Sequence, residues 1–218
     1  MCGRVTLTKS GEEVAEAFGL DEAPEIQPRY NIAPSQPVLV VPRPRVSAFL
    51  QWGLRSLPED KPLINARAET VSTRGAFKAA FAARRCLVPA DGFYEWQGPK
   101  GTKFRQAFHL RMHEMGLFGL AGIWEPGMGE ELGTLAILTT APNELLATIH
   151  DRMPVILKPA DYGSWLDPRT EAASLRSLLG PYPAEAMVAV PVGEAVHSAR
   201  RDDPSCLLPP TAVQGRLI

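Results

Sequence analysis

The sequence predicts an α+β fold, a largely antiparallel, barrel-like β core with peripheral helices. Three observations lead there. Strand-like runs cluster as hairpins rather than in regular βαβ alternation. The 21 prolines and 18 glycines among 218 residues call for many turns and short elements. Helical spacing is confined to brief stretches between the strands. At 45% apolar residues the chain can build a full core without covalent staples. The length suits one domain over residues 1–218, with the tail after about Cys206 loosely held.

The elements follow in chain order. After a first strand-like stretch, Ser10 to Glu13 reads as a capping box, with Val14, Ala15 and Phe18 as the apolar stripe and Gly19 as the stop. A proline-rich loop from Pro24 to Pro37 precedes a β-branched strand, Val38 to Val41, whose hairpin partner is Val46 to Trp52. Residues 56–75 read as a long polar loop. Gly75 to Arg85 has helical spacing, with Phe77 and Phe81 on one face. Strands are expected at 87–89, 93–96, 104–112, 117–124 and 135–140. Pro142 opens a helix running to about His150. A strand at 153–157, helices at 159–166 and 171–179, and a last strand at 187–192 complete the chain.

Composition excludes several classes. A net charge of −1 is not that of a protein that coats nucleic acid, so any such contact is local, in a basic groove. Three cysteines, Cys2, Cys86 and Cys206, form neither a disulfide framework nor a C-x-x-C metal motif. No signal-peptide pattern and no membrane-length apolar run is present, and the expected location is cytoplasmic. His109 and His113 lack a metalloprotease context, and Arg84-Arg85 reads as a solvated helix end. No metal or cofactor is expected.

Four concentrations of polar residues carry candidate chemistry. Removal of Met1 would leave Cys2 as a 1,2-aminothiol. Its amine, titrating near ~8, condenses with an aldehyde, and its thiol then closes a five-membered thiazolidine. On the dipeptide alone, an incidental small residue is the commoner explanation. Asn65, Arg67 and Glu69 alternate, so an extended chain places them on one face; they serve a ligand, a buried network or a solvated loop. Glu95 lies between Tyr94 and Trp96. Pointing inward it would have a raised pKa suited to acid–base work; pointing outward it would be ordinary. His150, beside Asp151 and Arg152, can shuttle a proton or merely end a helix.

Together, and in this order, these pieces resemble the SOS-response-associated peptidase (SRAP) family. The resemblance rests on Met1-Cys2-Gly3-Arg4, Arg29 to Pro34, Trp52-Gly53, Ile64 to Glu69, Arg85 to Trp96, Ala121-Gly122 with Trp124, Thr139-Thr140 with Asn143, and His150 to Pro154. It implies an SRAP-like single domain that crosslinks to abasic sites in single-stranded DNA, in the DNA-damage (SOS) response. By position it implies Cys2 as nucleophile, Asn65 as the polar residue holding the N-terminus or opened sugar, and Glu95 and His150 as the acid–base pair. It implies Arg67 and Arg74 as phosphate contacts, with Asn31, Pro34 and Trp96 lining the DNA groove. The partner is abasic single-stranded DNA, also at junctions with duplex, and the protein is expected to be a monomer. The family name implies peptidase activity, at least toward Met1, and the crosslinking chemistry is lyase-like. Two departures stand out. Arg55 to Lys61 lacks the family's tryptophan pair, leaving Leu57 as a smaller wedge, and His197 replaces an asparagine.

Two other readings stay open. An N-terminal-nucleophile amidohydrolase would also begin Met-Cys-Gly, although no glutamine-binding motif follows. A non-catalytic single-stranded DNA-binding module would use the same groove without Cys2.

Overall fold

The computed structural model describes residues 2–55, 61–99, 105–129 and 131–211. The first strand, β1 (Val5–Leu7), leads into α1 (Gly11–Phe18). Ser10 and Glu13 form the expected reciprocal box, and Gly19 closes the helix at φ 61°. The proline-rich segment, expected to be loop throughout, contains β2 (Arg29–Ile32). Then come β3 (Pro37–Arg43) and β4 (Val46–Trp52), paired antiparallel as expected. The polar loop also hides a strand, β5 (Asn65–Arg67), before α2 (Gly75–Ala83). Next are β6 (Arg85–Ala90), β7 (Gly92–Gln97), β8 (Gln106–Met112), β9 (Phe118–Glu125) and β10 (Thr134–Thr140). The helix expected up to His150 is one turn only, α3 (Glu144–Ala147), capped by Asn143 rather than opened by Pro142. The strand expected at 153–157 divides into β11 (Met153–Pro154) and β12 (Ile156–Leu157). After a 3₁₀ turn at Pro159–Asp161 the chain forms α4 (Tyr162–Leu166), α5 (Ala172–Ser177) and β13 (Met187–Val192).

The α+β architecture with largely antiparallel pairing is present as two sheets. The smaller has the order β13-β8-β7-β1-β2 and is antiparallel throughout. In the larger, β4, β3, β6, β9 and β10 close into a ring. Strand β10 organises it. Along one edge it takes β4 and then β5, both parallel; along the other it takes β9 and then β11, both antiparallel.

One core lies between the sheets, with Val5, Leu7, Phe93 and Leu110 of the smaller meeting Val38, Val40, Val88, Leu135 and Ile137 of the larger. A second core packs Phe77 and Phe81 of α2 and Trp165 of α4 against β9 and β10. No helix among the described residues is long and apolar enough to cross a membrane.

Arg84-Arg85 departs from the expected solvated helix end. Arg84 pairs with Glu125 at the end of β9, both partly exposed. Arg85 is 3% exposed and belongs to β6. Its guanidinium donates to the carbonyls of Phe81 (2.8 Å), Ala82 (2.7 Å), Trp165 (2.7 Å) and Asp167 (2.6 Å). It thus satisfies the orphan carbonyls at the ends of α2 and α4. Arg85→Ala strips four acceptors, two of them buried, of their donor, and urea denaturation should show a loss of about 3 kcal/mol.

Cys206 is buried in a 3₁₀ turn at Pro204–Leu207, and Gly193 donates to the Leu208 carbonyl at 2.9 Å.

Candidate active site around Cys2

Cys2 lies just ahead of β1, separated from it by Gly3 and Arg4, and is fully buried. Burial pushes its thiol well above the ordinary value, and the charge of Glu95 pushes the same way. The Arg4 backbone N–H hydrogen-bonds the thiol and acts in the opposite direction. The resting thiol is therefore protonated, and chemistry there must start from another group or a local base.

Strand alternation decides between the two readings of Glu95. Phe93 and Glu95 face the inter-sheet core, and Tyr94 and Trp96 face the other way. Glu95 is 2% exposed. Burial raises its carboxyl from 4.5 to about 7. His150 Nε2 lies 3.9 Å from Glu95 Oε2. The other ring nitrogen, Nδ1, faces the Arg152 N–H at 3.1 Å and the Asp151 carboxylate at 3.0 Å. One neighbour is a donor and one an acceptor, so the surroundings accommodate the ring with or without a proton on Nδ1.

Asn65 and Arg67 stand on β5, whose parallel pairing with β10 brings them beside the segment that follows His150. Asn65 Nδ2 donates to the Ile137 carbonyl at 3.3 Å. Its Oδ1 is buried, with no hydrogen-bond partner among the described residues. Glu69, just beyond β5, takes a two-pronged contact from Arg152 at 2.6 and 2.9 Å. Ala68 N–H donates to the Thr139 carbonyl at 2.8 Å. The pair and this bond fasten the β5 turn and the His150 segment to the same end of β10.

Arg67 shares β5 with Asn65, and the other expected site residues lie outside this cluster. Arg67 is exposed, and Arg74 sits at the N-terminus of α2 with its guanidinium 5.0 Å from the Phe77 ring centre. Pro34 is half-buried in the turn between β2 and β3. Asn31 is fully buried, with its side chain engaged by the C-terminal segment. Trp96 projects from the face of β7 opposite Glu95, against Arg4 and His197. Leu57 lies outside the described residues. Among the described residues no group of three or more His, Cys, Asp or Glu could hold a metal ion.

A protein-family model described as SOS response associated peptidase (SRAP) matches residues 1–199. The chain belongs to this family. Abasic site processing protein YoqW of Bacillus subtilis is 38% identical over 224 residues, spanning 95% of this chain and 99% of that one. Abasic site processing protein YedK of Escherichia coli is 31% identical, spanning 96% and 100%. A solved phage-related protein of Bordetella bronchiseptica superposes with a TM-score of 0.74 at 30% identity, covering 92% of this chain and 99% of that one. A solved protein of Bacteroides thetaiotaomicron superposes at 0.83 with 23% identity, covering 96% and 100%, which supports the fold alone.

The SRAP match includes every expected site residue. It stops before Asp202, whose carboxylate accepts from the backbone N–H of Tyr30 and Asn31. Two features of this SRAP chain escaped the sequence reading. Arg4 sits inside the quoted N-terminal motif, yet nothing local marks its side chain as structurally engaged. The Glu69–Arg152 pair joins two quoted motifs, but only the fold shows that they touch.

Proposed function

We propose that the chain processes abasic sites in single-stranded DNA by a covalent crosslink through Cys2 once Met1 is removed. The observation that carries this reading is the buried Glu95–His150 pair beside Cys2, with the Glu95 carboxyl poised at about 7. A group titrating there both gives and takes protons at physiological pH.

The steps balance as follows. Glu95, as carboxylate, takes the proton of the hemiacetal hydroxyl of the abasic deoxyribose, and His150 protonates the ring oxygen as its bond to C1′ breaks. The resulting aldehyde is attacked by the Cys2 amine. Loss of water, protonated by Glu95, gives an imine. The Cys2 thiol adds across the carbon–nitrogen double bond; its proton passes to nitrogen, and a thiazolidine closes. Sulfur takes on negative charge only as it adds, so no free thiolate accumulates, which suits a thiol that burial keeps protonated. Asn65 Oδ1, a buried acceptor, is suited to hold the amine. Exposed Arg67 and Arg74 supply phosphate contacts, and Pro34 lines the strand's path. The same pocket would remove Met1 as its peptidase step, and capture would shield the lesion in the cytoplasm during the damage response.

The test is a denaturing gel of purified protein with single-stranded DNA bearing one abasic site. A slower covalent species, together with an intact mass lacking Met1, is the expected result. Absence of the species from protein shown to have lost Met1 would sink the proposal.

A further inference from the structure

The segment that joins Cys2 to β1 is gripped from behind. Arg4 Nη1 donates to Asn31 Oδ1 at 2.9 Å and to the Val196 carbonyl at 2.7 Å. The Arg4 guanidinium carbon lies 5.8 Å from the Trp96 ring centre. Asn31 Nδ2 donates to the carbonyls of Ser198 (3.0 Å) and Arg201 (2.8 Å), and more weakly to that of Val196 (3.3 Å). Asp202 accepts from the backbone of Tyr30 (2.5 Å) and Asn31 (2.8 Å) and pairs with Arg29. The backbone of Arg4 is equally fixed: its carbonyl accepts from Tyr94 N–H at 3.0 Å, and its own N–H is the one directed at the Cys2 thiol.

One residue therefore connects the C-terminal segment to the nucleophile. We infer that Arg4, locked by Asn31, Trp96 and residues 196–202, is a positioning residue for Cys2, and that Asn31 and Trp96 act on the reaction through Arg4 rather than by touching DNA. Three observations support it. Every polar atom of the Asn31 side chain is occupied within the protein. Trp96 points away from the face that holds Glu95 and Cys2. Released from its grip, Arg4 would carry its N–H with it, and the thiol would lose both its hydrogen bond and its register. Ångström-scale misplacement of a reacting group is costly in rate.

The inference rests on the proposed aminothiol chemistry, so its test leaves DNA out. Full-length protein with Cys2 as its first residue, exposed by leader cleavage where Met1 is retained, is treated with formaldehyde. The amine expels water to give an imine, and the thiol adds to it. The gain of one carbon on the N-terminal peptide is followed by mass spectrometry as a function of pH. The groups facing the thiol are the α-amine, Glu95 and the Arg4 N–H, and none of them changes chemically in the variants. Arg4→Met and Asn31→Ala should slow ring closure about tenfold at neutral pH and move its pH profile upward, as loss of one stabilising hydrogen bond to sulfur implies. Arg4→Lys, which keeps a donor, should recover part of the rate and serves where Arg4→Met fails to fold. Affinity for intact single-stranded DNA should be unchanged in Asn31→Ala. Unchanged ring closure in these variants overturns the inference, as does a loss in Asn31→Ala confined to DNA affinity. If the parent closes the ring with formaldehyde but forms no crosslink with abasic DNA, the proposed function fails and the positioning role stands.

Discussion

Cys2→Ala should abolish the stable adduct with abasic single-stranded DNA, a loss of at least about a thousandfold in the rate of gel-stable product. The substitution separates the two nucleophiles of the same residue. Alanine keeps the α-amine, so the imine still forms, but without sulfur it cannot close and hydrolyses during denaturation. Borohydride reduction before the gel should therefore recover a crosslink in Cys2→Ala. A stable adduct without reduction would remove the thiol from the mechanism. Failure of borohydride to trap anything would remove the amine. Because Cys2 is fully buried among core residues, the smaller side chain should also cost stability, by about 1 kcal/mol.

Glu95→Gln should lower the adduct rate by about 10²–10⁴-fold, the usual share of a positioned acid–base group. Its effect on stability should have the opposite sign. Burial raises the Glu95 carboxyl from 4.5 to about 7 in the folded protein. Below pH 4.5 the group is neutral in both states and contributes nothing. Between 4.5 and 7 the unfolded chain has released the proton and the folded one still holds it, so stability falls as pH rises. Above 7 the whole penalty is present, on the order of 3 kcal/mol. Glutamine keeps the shape without the charge. Glu95→Gln should thus be more stable than the parent at pH 8, by roughly 1–3 kcal/mol, and no more stable at pH 4. Thermal melts at the two pH values check the sign, and an equal shift at both would show that the carboxylate is not what strains the site.

Local patterns were legible in the sequence, and long-range ones were not. The capping box at Ser10, the β3–β4 hairpin and the alternation of β7 depend on neighbours a few residues apart, and all three are present. Strand β2 is masked by the prolines that flank it, Pro28 and Pro34, and β5 by having three residues and a partner, Ile137 to Thr139, in a distant part of the chain. Arg85 read as a surface charge because its four acceptors lie in two helices, one of them some 80 residues away. Asn31 presents the same difficulty in the site itself. Its motif marked it as notable, but the carbonyls that occupy it come from the far end of the sequence. Candidate residues are thus nameable from motifs, whereas which face each occupies, and what it touches, requires the fold.

The ring closed by β10 has a consequence in time. Its closing contacts join Gln51 and Trp52 to Thr134 and Leu135, and the β5 and β11 pairings at the same strand join Asn65 to Ile137 and Met153 to Thr140. The β4 and β5 pairings bridge long stretches of chain and carry a large loop-closure entropy, whereas the β11 pairing is nearly local. On the proposed mechanism, Asn65 takes its place only once such a loop has closed. On that mechanism, an unfinished chain has its N-terminal cysteine but not the ordered acid, base and N–H that would speed its capture of an abasic aldehyde.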